Sequence, residues 1–127
     1  MQLFRNIQPE FVDMRGAIAK ILDDGKTNIK SILLITSRKG AIRANHYHRK
    51  DTHYSYLLSG SMEYYEKSAE GGDIEKVLLR AGDMVFTPAM RIHAMKFLED
   101  STFLACATES RSQEEYEADT VRVPLIE

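Results

Sequence analysis

The chain has 127 residues, with 17 Lys and Arg against 19 Asp and Glu, a formal net charge of −2 with histidine neutral. That length suits one domain able to bury a core without a disulfide staple, and the single cysteine, Cys106, leaves no internal disulfide to form and fits a reducing compartment. The near-balance of charge excludes the cationic footprint of a nucleic-acid binder and the charge excess of a disordered acidic chain, and no apolar run approaches the roughly 20 residues that a bilayer span needs.

Met1–Pro9 lacks a signal-peptide core, so the expectation is a cytoplasmic protein that touches no membrane. No repeat and no Ser- or Pro-rich linker divides the chain; it reads as one domain over 1–127, with a core at about 17–108 and a tail at 109–127. Turn signals recur at short spacing: Asp23-Asp24-Gly25-Lys26, Ser37-Arg38-Lys39-Gly40, Ser59-Gly60-Ser61, Glu70-Gly71-Gly72-Asp73 and Arg80-Ala81-Gly82-Asp83. Between them lie short runs rich in Ile, Val, Leu, Tyr and Thr, the rhythm of an all-β sandwich or barrel. The expected strands, in order, are Ile18–Leu22, Ile29–Thr36, Ile42–His48, His53–Leu58, Met62–Lys67, Ile74–Leu79, Met84–Thr87, Ile92–Leu98 and Thr102–Ala107. The first competes with a helical reading, because Phe11, Met14, Ile18, Ile21 and Leu22 also form a helical stripe closed by Gly25; the hairpin-like gap before the next strand favours a strand. In the tail, Ser112-Gln113-Glu114-Glu115 is a capping box that predicts a short helix over Gln113–Ala118, followed by an extended segment from Asp119 to Pro124. This tail is expected to cap the domain surface, or else to form a dimer contact.

The chemistry concentrates on four histidines. His46 and His48 lie two apart in a predicted strand and so share a face. His53 opens the next strand, returned beside the pair by the turn Arg49-Lys50-Asp51-Thr52, and His93 starts a more distant strand. Imidazole is the commonest metal ligand, and two ligands on one strand, one on its neighbour and one from afar can close a coordination sphere for Zn, Mn, Fe, Ni or Cu. A histidine general base without metal is the competing reading. Ordinary structural histidines are the bland one.

The run Gly40-(five residues)-His46-Tyr47-His48-(four residues)-His53-(six residues)-Gly60 resembles the first cupin motif, and Gly82-Asp83-Met84-Val85-Phe86-Thr87-Pro88-(four residues)-His93 resembles the second. The resemblance implies an all-β cupin, a jelly-roll-like barrel of two antiparallel sheets, one divalent transition metal on His46, His48, His53 and His93, and a homodimer. The chain departs from the pattern at three places. His53 stands where the first motif has a carboxylate, and Met90 and Phe97 stand where the second has Gly and Asn. Four neutral ligands would leave the ion's full +2 charge to attract an anionic or enolate oxygen. Asp13-Met14-Arg15-Gly16, Arg43-Ala44-Asn45-His46-Tyr47-His48 and Ser59-Gly60-Ser61-Met62-Glu63-Tyr64-Tyr65-Glu66 are also similar to cupins of surface-polysaccharide pathways that epimerise or isomerise nucleotide-linked sugars. That likeness implies a histidine base and a tyrosine acid, assigned here to His46 and Tyr64.

Arg43 and Arg91 flank the ligand strands and Ser55 shares the face of His53, which makes these three the candidate substrate-binding residues. Met62, Met84, Met90 and Met95 are expected as packing or as cavity lining. No phosphate-cradling glycine loop and no Ser or Cys nucleophile motif is present. Three functions remain open: a metal-dependent enzyme isomerising or epimerising a small sugar, a metal-dependent dioxygenase, and a non-enzymatic sugar-binding module with a structural metal.

Overall fold

A computed structural model describes residues 1–127. The elements in chain order are β1 (Gln2–Phe4), β2 (Phe11–Asp13), β3 (Gly16–Ile18), β4 (Ser31–Ser37), β5 (Ile42–His48), β6 (His53–Ser59), β7 (Ser61–Ser68), β8 (Glu75–Arg80), β9 (Met84–Thr87), β10 (Arg91–Phe97), β11 (Ser101–Ala107), α1 (Gln113–Asp119) and β12 (Thr120–Arg122). The protein is therefore all-β with one short helix. Two five-stranded sheets carry the fold, ordered β1-β9-β6-β11-β4 and β12-β5-β10-β7-β8, and β2 and β3 form a separate hairpin. The ladders keep the two large sheets distinct, so the barrel expected from sequence is here a pair of facing sheets.

Period-2 alternation builds the space between them. Leu57, Met62, Leu79, Val85, Phe97 and Phe103 form the centre of one buried apolar cluster, each such side chain contributing about 1.5–3 kcal/mol by leaving water. The inward positions change character along each strand. On β6 they read Leu57, Ser55, His53; on β10, Phe97, Met95, His93; on β7, Met62, Tyr64, Glu66. The register places His53 opposite Thr87, and His93 opposite both Glu66 and His46. One end of the sandwich is therefore apolar and the other polar, and the histidines lie at the polar end. At the β6–β7 turn Gly60 has φ +89°, and a Cβ there would lie 2.6 Å from the Ser101 Cβ and 2.7 Å from the Asp100 carbonyl oxygen.

Most expected strands form within a residue or two. The expected strand Ile18–Leu22 does not: Gly16–Ile18 pairs with Phe11–Asp13, and the chain then runs without regular structure to Lys30. Asp24 explains the break, because its carboxylate accepts from the backbone N–H of Lys26 and Thr27 and holds a local turn in place of a ladder. Four strands, β1, β2, β3 and β12, have no counterpart among those expected. β1 pairs with β9, which ties the N-terminal residues to this chain's own sheet; β2 pairs with β3; and β12, inside the predicted extended tail, pairs with β5. Ser112 caps α1 as expected, accepting from the Glu115 N–H. Met62, Met84 and Met95 are buried, whereas Met90 is exposed at a positive φ of 63°.

Candidate active site

A bulge positions the first ligand strand. His46 lies opposite His93 and Ala44 opposite Ala94, so Asn45 is an extra residue in β5, and Ala44 and Asn45 take positive φ values of 70° and 54°. The displaced Asn45 side chain accepts from the N–H groups of Leu125 and Ile126 and donates to the Ile126 carbonyl, fastening the C-terminal tail. Beyond the bulge, His46 and His48 share the inner face with ring centroids 4.7 Å apart; His46 and His93 are also 4.7 Å apart, and His53 and His93 are 5.0 Å apart. Ligand nitrogens of His46, His48 and His93 all lie within 4.8 Å of one another, and so do ligand atoms of His48, Asp51 and His53. The four imidazoles and the Asp51 carboxylate thus form two overlapping triads that share His48.

Hydrogen bonding fixes two tautomers. The Arg91 carbonyl can only accept, so at 3.1 Å His93 Nδ1 carries the proton and donates it. The Thr120 hydroxyl spends its single proton on the Tyr116 carbonyl, 2.5 Å away, and therefore accepts from His48 Nδ1 at 3.2 Å. Both rings then present a bare Nε2 lone pair. His48 Nε2 and His53 Nδ1 are buried without a partner. Burial is the chief reason that all four rings are neutral, each with a single N–H, near neutral pH. It pushes His48 and His93 down to about 4, His46 down to about 2 and His53 well below the ordinary range, with the Arg111 guanidinium adding to each shift. At His48 the Asp119 carboxylate opposes the shift.

Together these rings line a cavity of about 130 Å³ whose wall also includes Arg43, Ser55, Met95, Arg111 and Tyr116. A larger open groove of about 370 Å³ adjoins it, and His48, Arg111 and Tyr116 border both.

The structure places the sequence-selected residues unequally. Ser55 lines the cavity with its hydroxyl buried and unpartnered. Arg43 reaches the rim, donating to the Ser37 hydroxyl at 2.7 Å and the Thr36 carbonyl at 2.9 Å. Arg91 is not in the cavity wall. Its guanidinium is spent on Glu66 at 2.7 Å and Glu75 at 2.9 Å. Tyr64 lies behind His93, wholly buried, donating to Glu66 at 2.9 Å and sharing a 2.6 Å hydrogen bond with Thr87. Burial and the Glu66 carboxylate lift its phenol well above the ordinary range. The tyrosine that does line the cavity is Tyr116, with the Arg111 guanidinium stacked 4.4 Å over its ring. Sequence reasoning passed over Arg111, Tyr116, Thr120 and Asp51. The capping box located α1, but nothing local showed that the tail would fold back over the histidines.

The Cupin domain family matches residues 33–106, more than half of the chain, and the protein belongs to that family. No curated protein matches the chain. Among solved structures it is similar to a double mutant of the QdtA 3,4-ketoisomerase from Thermoanaerobacterium thermosaccharolyticum in complex with TDP, with a TM-score of 0.75 at 23% identity over 95% of this chain and 86% of that one. A 3,4-ketoisomerase from Helicobacter canadensis gives a TM-score of 0.78 at 17% identity, covering 95% of this chain and 89% of that one. The dTDP-4-dehydrorhamnose 3,5-epimerase from Sulfolobus tokodaii gives 0.69 at 22% identity, covering 83% and 69%. At these identities the likeness establishes the cupin fold.

Proposed function

We propose that the protein is a sugar-modifying cupin that isomerises or epimerises a small sugar or sugar derivative in surface-polysaccharide metabolism, with one divalent transition metal at the histidines. The observation that carries the reading is the cluster of buried, unprotonated imidazoles whose bare nitrogens converge within 4.8 Å. This donor set fits a borderline ion such as Zn, Mn, Fe, Ni or Cu: the ligands are already deprotonated, and His48 and His93 have their other ring nitrogen anchored as metal-binding imidazoles do. His46, His48, His53 and His93 would hold the ion, and a bound ion would supply Lewis-acid polarisation of a carbonyl. A ring whose lone pair is on an ion cannot also take a proton, so His46, the least buried of the four, is the base beside that carbonyl only in a metal-free form of the reaction. Tyr116 replaces Tyr64 as the acid, because the Tyr64 hydroxyl is committed to Glu66 and Thr87. The neighbours' ketoisomerase and epimerase names support the same class of chemistry.

The test is incubation with a nucleotide-linked keto sugar in D₂O, followed by NMR, alongside elemental analysis of untagged protein and of His53→Ala. Deuterium entering the carbon beside the carbonyl, and near one metal per chain falling in the variant, are expected. No exchange and no conversion would overturn the assignment. A dioxygenase reading is favoured by one observation, the His48–Asp51–His53 triad, since two histidines and a carboxylate with open positions suit non-haem iron; oxygen consumption after Fe(II) loading would support it. We also propose a homodimer. On edge strand β4, Ile32 and Leu34 are each 65% exposed, and Leu58 is 45% exposed. Light scattering would report its mass.

A further inference from the structure

The cavity wall is unbalanced in charge. Two arginines border it, and no carboxylate does. Arg43 pairs with no acidic residue anywhere; its two hydrogen bonds go to a neutral hydroxyl and a neutral carbonyl. Arg111 has one carboxylate, Asp51, and only at 4.0 Å, the limit of an ion pair. The other oxygen of Asp51 accepts from the Thr108 and Glu109 N–H groups, so Arg111 shares this carboxylate with the backbone. Arg111 stacks on Tyr116 where the cavity meets the outer groove, since both residues border both, and its charge bears on all four imidazoles.

A second, independent feature lies deeper. Ser55 is 1% exposed, it lines the cavity, and its hydroxyl has no hydrogen-bond partner. An orphaned buried hydroxyl costs roughly 1–3 kcal/mol, a cost removed when a ligand oxygen accepts from it. The imidazoles, being neutral, contribute no negative charge. The volume, about 130 Å³, is roughly four water molecules' share of liquid, room for a two- or three-carbon fragment and not for a nucleotide.

We infer that this cavity is an oxyanion site, in which Arg111 at the mouth and Ser55 at the base bind the negatively charged oxygen of a small carbon skeleton, with Arg43 supporting from the rim. The shared chemistry is a planar carbon-borne oxyanion, and it has two sources: the carboxylate of an acidic sugar fragment, or the enediolate formed when a keto sugar loses its proton. The second source rests on the isomerase reading above. The first does not. The planar guanidinium fork suits either, because both are flat, two-oxygen acceptors.

The probes are pyruvate and its neutral isostere pyruvamide for the carboxylate, and glycolohydroxamate for the enediolate. Each is titrated calorimetrically into full-length protein, as purified and after EDTA treatment. Pyruvate is expected to bind and pyruvamide to bind at least about tenfold more weakly, as loss of a charge-assisted hydrogen bond requires. Arg111→Gln should weaken pyruvate about tenfold or more, with Arg111→Lys in between. Ser55→Ala should weaken it by less, and because Ser55 lines only the inner cavity, that loss places the anion there and not in the outer groove. Arg43→Gln is a second charge deletion that leaves the tail untouched, should Arg111→Gln disturb folding. Tighter binding of glycolohydroxamate than pyruvate identifies the enediolate as the oxyanion; the reverse identifies a carboxylate ligand. Equal affinity for pyruvate and pyruvamide, or binding that survives Arg111→Gln and Ser55→Ala, overturns the site. So does binding confined to metal-loaded protein and indifferent to the arginines. Absence of sugar turnover with anion binding intact refutes the isomerase reading alone.

Discussion

Lowering the pH from 7 to 5 should cost the metal-free protein a large part of its stability. The relevant groups are His48 and His93, which are 3% and 1% exposed and have values pushed down to about 4 by burial. In the unfolded chain each titrates near 6.5. A depressed histidine favours folding while both states are unprotonated, above about 6.5. That advantage is lost as pH falls toward 4, because the unfolded chain takes up protons the folded one refuses. At pH 5 the unfolded imidazole is protonated about thirtyfold over neutral, worth about 2 kcal/mol, while the folded ring is still mostly neutral. Two such rings give about 4 kcal/mol, and His46 and His53 act in the same direction. The Asp51 carboxyl, raised by burial, works the other way. For a chain of this length 4 kcal/mol corresponds to about 15 °C in Tm. Urea unfolding at pH 7 and pH 5, with chelator present, would measure it. The variant His48→Gln should shrink the pH-dependent loss by about 2 kcal/mol. A change below about 1 kcal/mol between the two pH values would refute the premise that the rings are held neutral by burial.

Arg91→Ala should destabilise the fold by about 3 kcal/mol in urea, since it leaves the fully buried Glu66 carboxylate without its closest cation, and adding Glu66→Gln should recover part of that loss. Pyruvate affinity should be unchanged in the same variant, which separates a structural arginine from a ligand-binding one. Gly60→Ala should cost about 3 kcal/mol, because a side chain at φ +89° is strained and its Cβ would overlap Ser101 and the Asp100 carbonyl; thermal unfolding would show it. Thr120→Val should release the Nδ1 proton of His48 and mix its tautomers, read from the ¹⁵N shifts of the ring, while Thr120→Ser should keep the wild-type pattern.

The site was partly legible because its grammar is local. HxH within one strand, a tight return to His53 and Gly-Pro-His spacing before β10 all act over short stretches of chain, and period-2 alternation correctly turned Ser55 and Leu57 toward the same interior as His53. By the same alternation Arg91 shares the face of His93, and its side chain reaches the buried Glu66 carboxylate. What parity could not show is that Glu66, on a strand 25 residues earlier, lies opposite His93 and captures that guanidinium. The Tyr64 hydroxyl is engaged by Glu66, two residues along its own strand, and by Thr87 on β9. The bulge at Asn45 left one faint sign, an asparagine, the residue type that best tolerates positive φ after glycine. The tail was the hardest part. Arg111, Tyr116 and Thr120 read as polar surface by composition, yet Asn45 and the β5–β12 ladder bring them over the histidines. Apart from the Tyr64–Glu66 bond within β7, these are long-range pairings between segments that carry no mutual signal in sequence. The motif histidines lie deep between the sheets, and the groups that set their tautomers and surround them with positive charge come from the tail. Cupins with the same histidine motif and different tails should therefore differ in which oxyanion they admit rather than in whether they assemble the imidazole cluster.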